Sequence, residues 1–145
     1  MFRIKVEKII NKPAAEVFNF LADHENYHKF PGVDQSELLE TGKFEKNGLE
    51  ALRKVVIGGA MLEERITYFE KPKKLRYQIE KSSPLPFLHD IGEITLVDEG
   101  NTTRVVWISE GRINIPIFGR LIFDRLISKQ GAKGFSKTLD WIARQ

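Results

Sequence analysis

Hydrophobic positions follow two different spacings along the chain. Near the start, Phe2, Ile4 and Val6 are separated by charged residues, and this period of two predicts a strand with one solvated face. From Ile127 to Ile142, apolar and small residues recur three or four positions apart, which predicts one long helix over residues 118–142. Residues 35–113 mostly follow the strand spacing. The pattern therefore predicts an α+β protein whose antiparallel sheet curves around the C-terminal helix.

The elements between these two ends are set out by turn signals. Two short helical segments, ending near Asp23 and Phe30, follow the first strand, and Pro31-Gly32 ends the second of them. Five connections then separate about six further strands: Lys46-Asn47-Gly48, Gly58-Gly59, Lys71–Lys74, the proline-containing loop Ser82–Phe87, and Glu99-Gly100-Asn101. Asn47-Gly48 has the sequence of a tight hairpin with positive φ angles. No linker or repeat appears, so residues 1–145 are predicted to form one domain of about seven strands.

Composition and charge narrow the function classes. Hydrophobic residues make up 41% of the chain and charged residues 30%, which is ordinary for a globular protein. The absence of cysteine excludes disulfide and thiol chemistry and suits the reducing cytoplasm, where we expect the protein to be. No stretch has the apolar core of a signal peptide or the length to cross a bilayer. Because lysines and acids are interspersed, the net charge of +3 does not predict a nucleic-acid surface.

Several stretches together carry a resemblance to a known superfamily. They are Ile10–Asp23 followed by Asn26-Tyr27, Glu64–Ile66 ahead of Lys71–Tyr77, Gly100–Trp107, and Gly134–Leu139. With them the chain resembles, over nearly its whole length, the START-like (SRPBCC) helix-grip superfamily, and most closely its polyketide cyclase/dehydrase branch. The matching residues are turns, helix starts and core contacts, and none is a catalytic signature. The resemblance implies an apolar cavity between the sheet and the long helix, which holds a small hydrophobic or amphipathic molecule such as a lipid, a quinone or a polyketide-like compound.

Candidate cavity residues follow from the strand pattern and from the helix stripe. Arg53 and Glu64 lie on either side of the Gly58-Gly59 turn and could pair if they face the cavity, because an unpaired buried charge is costly. The alternative is that both lie with Arg65 and Tyr68 on the outer face of the sheet. Amphipathic rings can both stack on a ligand and hydrogen-bond to it. The full set of ligand-binding candidates is Arg53, Glu64, Tyr68, Tyr77, His89, Trp107, Arg120, Ile127, Gly131 and Phe135.

Two features of the last helix break its regular pattern. Gly131 and Gly134 lie on the apolar stripe, where glycine costs about 1 kcal/mol each relative to alanine, so we expect the sheet or a ligand to approach closely there. Phe118, Ile122 and Leu126 lie on the face opposite the later stripe, while Arg120 and Asp124 lie on it and could pair. The sequence therefore predicts a break or kink between about Leu126 and Gly131, with the first part folding over the cavity mouth.

The positions of the histidines give little support for metal binding or acid–base catalysis. His24 and His28 have the i,i+4 spacing of two metal ligands, but no third ligand is evident, so we expect two surface histidines and no bound metal. His89 and Asp90 could act as a base and its orienting group, although neighbouring strand residues point to opposite faces. No cofactor is predicted.

Three functions remain open from the sequence. The leading one is noncovalent binding of a hydrophobic ligand. In a cyclase or dehydratase, by contrast, Arg53, Glu64, Tyr68, Tyr77 and His89 would position a polyketide-like substrate and move protons. In an interaction module, the Phe118/Ile122/Leu126 face would contact a partner, a second copy or, transiently, a membrane surface. We expect a monomer or a weak homodimer, with no nucleic-acid partner and no integral membrane association.

Overall fold

The computed structural model describes all residues from 1 to 145. The chain forms seven strands and two α-helices, with a short 3-10 helix after the first of them. The strands are β1 (Phe2–Ile10), β2 (Val33–Glu40), β3 (Leu52–Ile57), β4 (Ala60–Glu70), β5 (Lys74–Ser83), β6 (Phe87–Asp98) and β7 (Thr103–Ile113). The helices are α1 (Ala14–Ala22), the 3-10 helix (His24–Lys29) and α2 (Ile117–Ala143).

All seven strands belong to one antiparallel sheet in the order β1-β7-β6-β5-β4-β3-β2. Strands β2 to β7 are each hydrogen-bonded to their neighbours in sequence, while β1 pairs with β7 at one edge. Helix α1 and the 3-10 helix connect the two edge strands, β1 and β2. This arrangement confirms the predicted helix-grip fold, because the helices lie where the sequence placed them and the long helix follows the last strand.

Helix α2 packs on the β1 and β7 end of the sheet. Leu139 and Ile142 are fully buried in the core, which they share with Ile4 and other inward residues of β1. Gly131 is required at this contact, because a Cβ atom there would collide with the Ile4 side chain. At Gly134 a Cβ atom would meet nothing within 4 Å. One glycine therefore permits close packing of helix on sheet, and the other faces open space.

The break that the sequence predicted in the last helix is absent. Helix α2 runs without interruption through the segment from Leu126 to Gly131. The prediction assumed that both apolar faces must be buried, but the first one is not: Phe118 is 87% exposed, Ile122 68% and Leu126 47%. Asp124 does not pair with Arg120 either; its carboxylate lies 2.5 Å from the amino group of Met1.

The Asn47-Gly48 hairpin is also absent. Residues 41–51 form a longer loop between β2 and β3, and the positive φ falls on Glu50, at 72°, instead of on Asn47. Strands β2 and β3 still pair as antiparallel neighbours, so the connection is as predicted although its turn is not.

None of the helices combines the length and the hydropathy that a membrane crossing requires.

Candidate functional site

A cavity of about 410 Å³ lies between α2 and strands β3, β4 and β5. It exists because α2 packs on the opposite end of the sheet, over β1 and β7, and leaves the concave face of the central strands uncovered. Of its 26 lining residues, 15 are hydrophobic, so the walls favour apolar ligand surface. The apolar walls include Phe2, Ile4, Phe30, Val55, Leu62, Ile79, Phe87, Trp107, Ile127 and Phe135.

One wall of the cavity carries a buried ion pair. Arg53 on β3 and Glu64 on β4 are directly opposite each other in the β3–β4 ladder, and the Nε of Arg53 donates to Oε1 of Glu64 at 2.8 Å. Their side chains are 1% and 8% exposed, so each charge depends on the other for its solvation. The second carboxylate oxygen of Glu64, Oε2, has no hydrogen-bond donor within the protein. The pair therefore brings no net charge to the cavity but keeps a free acceptor.

His24 extends this pair on the side away from β4. The Nη1 of Arg53 donates to His24 Nδ1 at 3.2 Å, so His24 Nε2 carries the ring proton and donates to the carbonyl of Asn47 at 2.8 Å. Burial and the neighbouring Arg53 charge lower the pKa of His24 to about 3. His24 is thus a neutral acceptor that holds the guanidinium in place. It is fully buried, so the expectation of a surface histidine is wrong.

Aromatic rings enclose the guanidinium and continue across the cavity floor. The Arg53 guanidinium carbon lies 4.3 Å from the ring centre of Tyr27 and 5.1 Å from that of Tyr77. The Tyr77 hydroxyl accepts from Trp107 Nε1 at 2.9 Å, and Trp107 stacks on Phe135 of α2 at 4.0 Å. Burial raises the pKa of Tyr77, so its hydroxyl keeps a proton. That proton has no acceptor within the protein, which leaves it available to a ligand.

His89 lies behind this wall, where it stacks on Tyr77 with ring centres 5.6 Å apart. Its Nδ1 accepts from the backbone N–H of Ile79 at 3.1 Å, so Nε2 bears the proton and donates to the Ser109 hydroxyl oxygen at 2.9 Å. Burial also lowers the pKa of His89. Neither ring nitrogen is then free to take a proton from Ser109, and no carboxylate lies within hydrogen-bond distance of the ring. Asp90 is exposed on the other face of β6.

The structure places the candidate residues in three groups. Those that line the cavity are Arg53, Glu64, Tyr77, Trp107, Ile127, Gly131 and Phe135. His89 is one layer behind them and reaches the cavity only through Ser109 and Tyr77. Tyr68 and Arg120 do not line the cavity.

The structure explains why Tyr68 and Arg120 lie outside the cavity. A register shift between Ile66 and Tyr68 reverses the alternation of β4, so Phe69 packs inward on Phe18 while Tyr68 is 37% exposed and contacts Glu70. Arg120 lies in the first turns of α2, and the part of α2 that lines the cavity starts only at Ile127.

Among the polar residues that the sequence did not reveal as lining or supporting the cavity are His24, Ser109, Lys133 and Lys137. Ser109 alternates inward with Trp107 and Gly111 on β7, and this alternation was the available signal. Helical spacing turns Lys133 and Lys137 away from the apolar stripe, but they lie at the cavity rim because the helix stands off from β3 and β4 there. No group of three His, Cys, Asp or Glu residues is placed to hold a metal ion, so His24 and His28 remain without a third ligand.

The fold and the cavity define a helix-grip protein of the START type, and comparison with family models identifies the branch. The model described as polyketide cyclase / dehydrase and lipid transport matches residues 1–145, the whole chain. The protein belongs to this family. No curated protein matches the sequence significantly.

Solved structures share the fold at low sequence identity. A START superfamily protein from Mycobacterium smegmatis superposes with a TM-score of 0.82 at 11% identity, covering 100% of this chain and 99% of that one. A Thermus thermophilus protein gives 0.76 at 19% identity, covering 98% and 94%. The Zhui aromatase/cyclase from a Streptomyces species gives 0.73 at 16% identity, covering 98% and 93%. At these identities the likeness extends to the fold alone.

Proposed function

We propose that the protein binds a small hydrophobic or amphipathic molecule in the cavity between α2 and the sheet, without covalent catalysis. The observation that supports this function is the cavity itself, about 410 Å³ in volume with mainly apolar walls. Small-molecule sites in proteins span roughly 300–1,000 Å³, and most bury an apolar ligand body while a few polar groups orient it. Membership in a family described by cyclisation, dehydration and lipid transport is consistent with such a ligand.

The polar wall suits a ligand with an uncharged polar group. Arg53 is neutralised by Glu64, so a ligand carboxylate would gain little from the guanidinium. The wall instead offers the free protons of Tyr77 and Ser109 and the free Oε2 of Glu64. A ligand hydroxyl can accept from the two O–H groups or donate to Oε2, whereas a ligand carbonyl oxygen can only accept, which fits the lipid, quinone and polyketide-like classes. Burial of the remaining ligand surface would contribute about 25 cal/mol per Å² of apolar area.

Filling the cavity tests the proposal directly. Gly134 lines the cavity, and a side chain there would point into open space, so Gly134→Phe should fill the cavity without disturbing the sheet. We expect a dansyl-labelled fatty acid to bind the wild type and quench Trp107, and to bind Gly134→Phe at least about tenfold more weakly. Gly134→Ala, the matched control, should bind like the wild type. A folded Gly134→Phe variant with unchanged affinity would contradict the site.

A co-purified molecule would identify the ligand class. Native mass spectrometry of protein from its own host should show a small molecule that is lost in Gly134→Phe. A polar wall with one acceptor and two donors predicts at least one hydroxyl or carbonyl oxygen in that molecule.

A cyclase or dehydratase is the second candidate, because the same O–H donors could polarise a substrate carbonyl. The engaged nitrogens of His89 and the pairing of Glu64 with Arg53 speak against it, since they leave no histidine–carboxylate pair to move a proton. Incubation with a poly-β-keto thioester separates the two functions. We expect binding without a cyclised product, whereas product formation that is lost in Tyr77→Phe and kept in Tyr68→Phe would establish the enzyme.

A further inference from the structure

The first half of α2 exposes an unusual amount of apolar surface. Five large side chains on one face are more than two-fifths exposed: Ile117, Phe118, Leu121, Ile122 and Leu126. On a helix of 3.6 residues per turn they cover one contiguous side of the first ten residues. We call these five residues the apolar end. Single exposed apolar residues need no explanation, but a contiguous patch marks a binding surface.

A row of cations continues along the helix from this patch. Arg125, Lys129, Lys133 and Lys137 are spaced four residues apart, so they form one line on the helix surface. All four are exposed, and none forms an ion pair. Like charges at this spacing destabilise a helix, so folding alone does not explain the row. We call these four residues the basic row.

Acidic groups do not compensate the basic row from the same helix. The two acids of α2 are Asp124 and Asp140, and both are occupied elsewhere: Asp124 pairs with the amino group of Met1 and Asp140 with Lys8. The exposed side of α2 is therefore apolar at its start and purely cationic along the following turns. The row ends at the cavity, since Lys133 and Lys137 are at its rim.

We propose that this side of α2 docks the protein on an anionic lipid surface, with the apolar end inserted among the acyl chains and the basic row at the level of the lipid phosphates. Aliphatic and aromatic side chains followed by lysines and arginines form the pattern of helices that lie in a membrane interface. The apolar end runs directly into a row of unpaired cations, which matches the layers of acyl chains and phosphates in an anionic bilayer and favours lipid over an acidic protein. Docking in this orientation brings the cavity rim to the membrane surface, where a ligand could pass between them.

Vesicle co-sedimentation tests the proposal with probes of defined composition. We expect the wild type to bind phosphatidylcholine vesicles that contain 30% phosphatidylglycerol. Its binding to vesicles of pure phosphatidylcholine should be weak. Raising the salt concentration should weaken the binding. Equal binding to both vesicle types, or binding to neither, would overturn the proposal.

Two sets of variants assign the interaction to the named residues. Phe118→Asp should reduce the partition coefficient at least about tenfold, while Phe44→Asp, at an equally exposed phenylalanine in the 41–51 loop, should not. Arg125→Gln with Lys129→Gln should reduce it about 25-fold, at about fivefold for each cation lost near the surface. Lys5→Gln with Lys73→Gln, which removes the same net charge from strand β1 and the turn before β5, should have little effect. An equal loss of binding in the two pairs would show that only net charge matters and would overturn the assignment to the basic row.

One outcome would assign the apolar end to a different partner. If light scattering shows a dimer that Ile122→Asp dissociates, the patch is a self-association face and the membrane proposal fails. The proposal is also separable from ligand binding: Phe118→Asp should bind the dansyl-labelled fatty acid like the wild type. Loss of both properties in that variant would indicate misfolding, which circular dichroism would detect.

Discussion

The two halves of helix α2 are attached to the rest of the protein by different kinds of contact. The half after Ile127 packs on the sheet through buried Leu139 and Ile142, and Gly131 lets it approach β1 closely. The half before Ile127 is attached by polar contacts: Asp124 binds the amino group of Met1, and the Ser128 hydroxyl just beyond it accepts from the backbone N–H of Arg3. One continuous helix thus has an apolar, tightly packed half and a half whose apolar side chains face solvent. Helical spacing shows which residues share a face but not whether that face has a partner.

The largest expected difference between the halves is in stability. Leu139 is fully buried and Leu121 is 56% exposed. We expect Leu139→Ala to lower the free energy of unfolding by about 3 kcal/mol, through lost transfer energy and a residual cavity. Leu121→Ala should change it by less than about 0.5 kcal/mol. Urea unfolding measures both, and a similar loss in the two variants would show that the first half also packs against the protein.

Acid should destabilise the packed part of the molecule through His24. Its pKa is about 3 in the folded protein, against 6.5 for a histidine in the unfolded chain, so between these pH values the unfolded state binds more protons and stability falls as the pH falls. At pH 5 this amounts to about 2 kcal/mol relative to pH 7, at about 1.4 kcal/mol per pH unit below 6.5.

The 3-10 helix supplies the control for this titration. His24→Asn should remove that part of the pH dependence, while His28→Asn, at an exposed position of the same helix, should retain it. Should His24→Asn fail to fold, nitrogen chemical shifts of the wild type can replace it. A His24 ring that is protonated at pH 5 would contradict the buried, neutral assignment.

Two of the three glycines of α2, Gly131 and Gly134, provide the smallest and most local test. Gly131→Ala would place a methyl group against Ile4, and we expect a loss of about 1–2 kcal/mol from overpacking. Gly134→Ala meets open space and should gain up to about 1 kcal/mol from helix propensity. Thermal unfolding distinguishes the opposite signs. A loss at both positions would mean that the sheet also approaches the helix at Gly134.

Much of the site was predictable because local rules govern it. The pairing of Arg53 with Glu64 follows from their positions around the Gly58-Gly59 turn, and the structure has them directly opposite in the ladder. Ile127, Gly131 and Phe135 line the cavity because they share the stripe that faces the sheet. Tyr68 was misplaced because a single register shift in β4 reverses which side chains face inward, and no residue type signals that shift.

The sequence by itself determined the strand and helix order, the helix-grip class and the apolar face of the C-terminal helix, because periods of two and of 3.6 are local properties of the backbone. Only the tertiary structure decided that His24 is buried beside Arg53, that Lys133 and Lys137 reach the cavity rim, and that the first half of α2 is exposed. These features depend on where the sheet ends and how far the helix stands from it. Such distances arise from contacts between residues far apart in the chain, which no local pattern encodes.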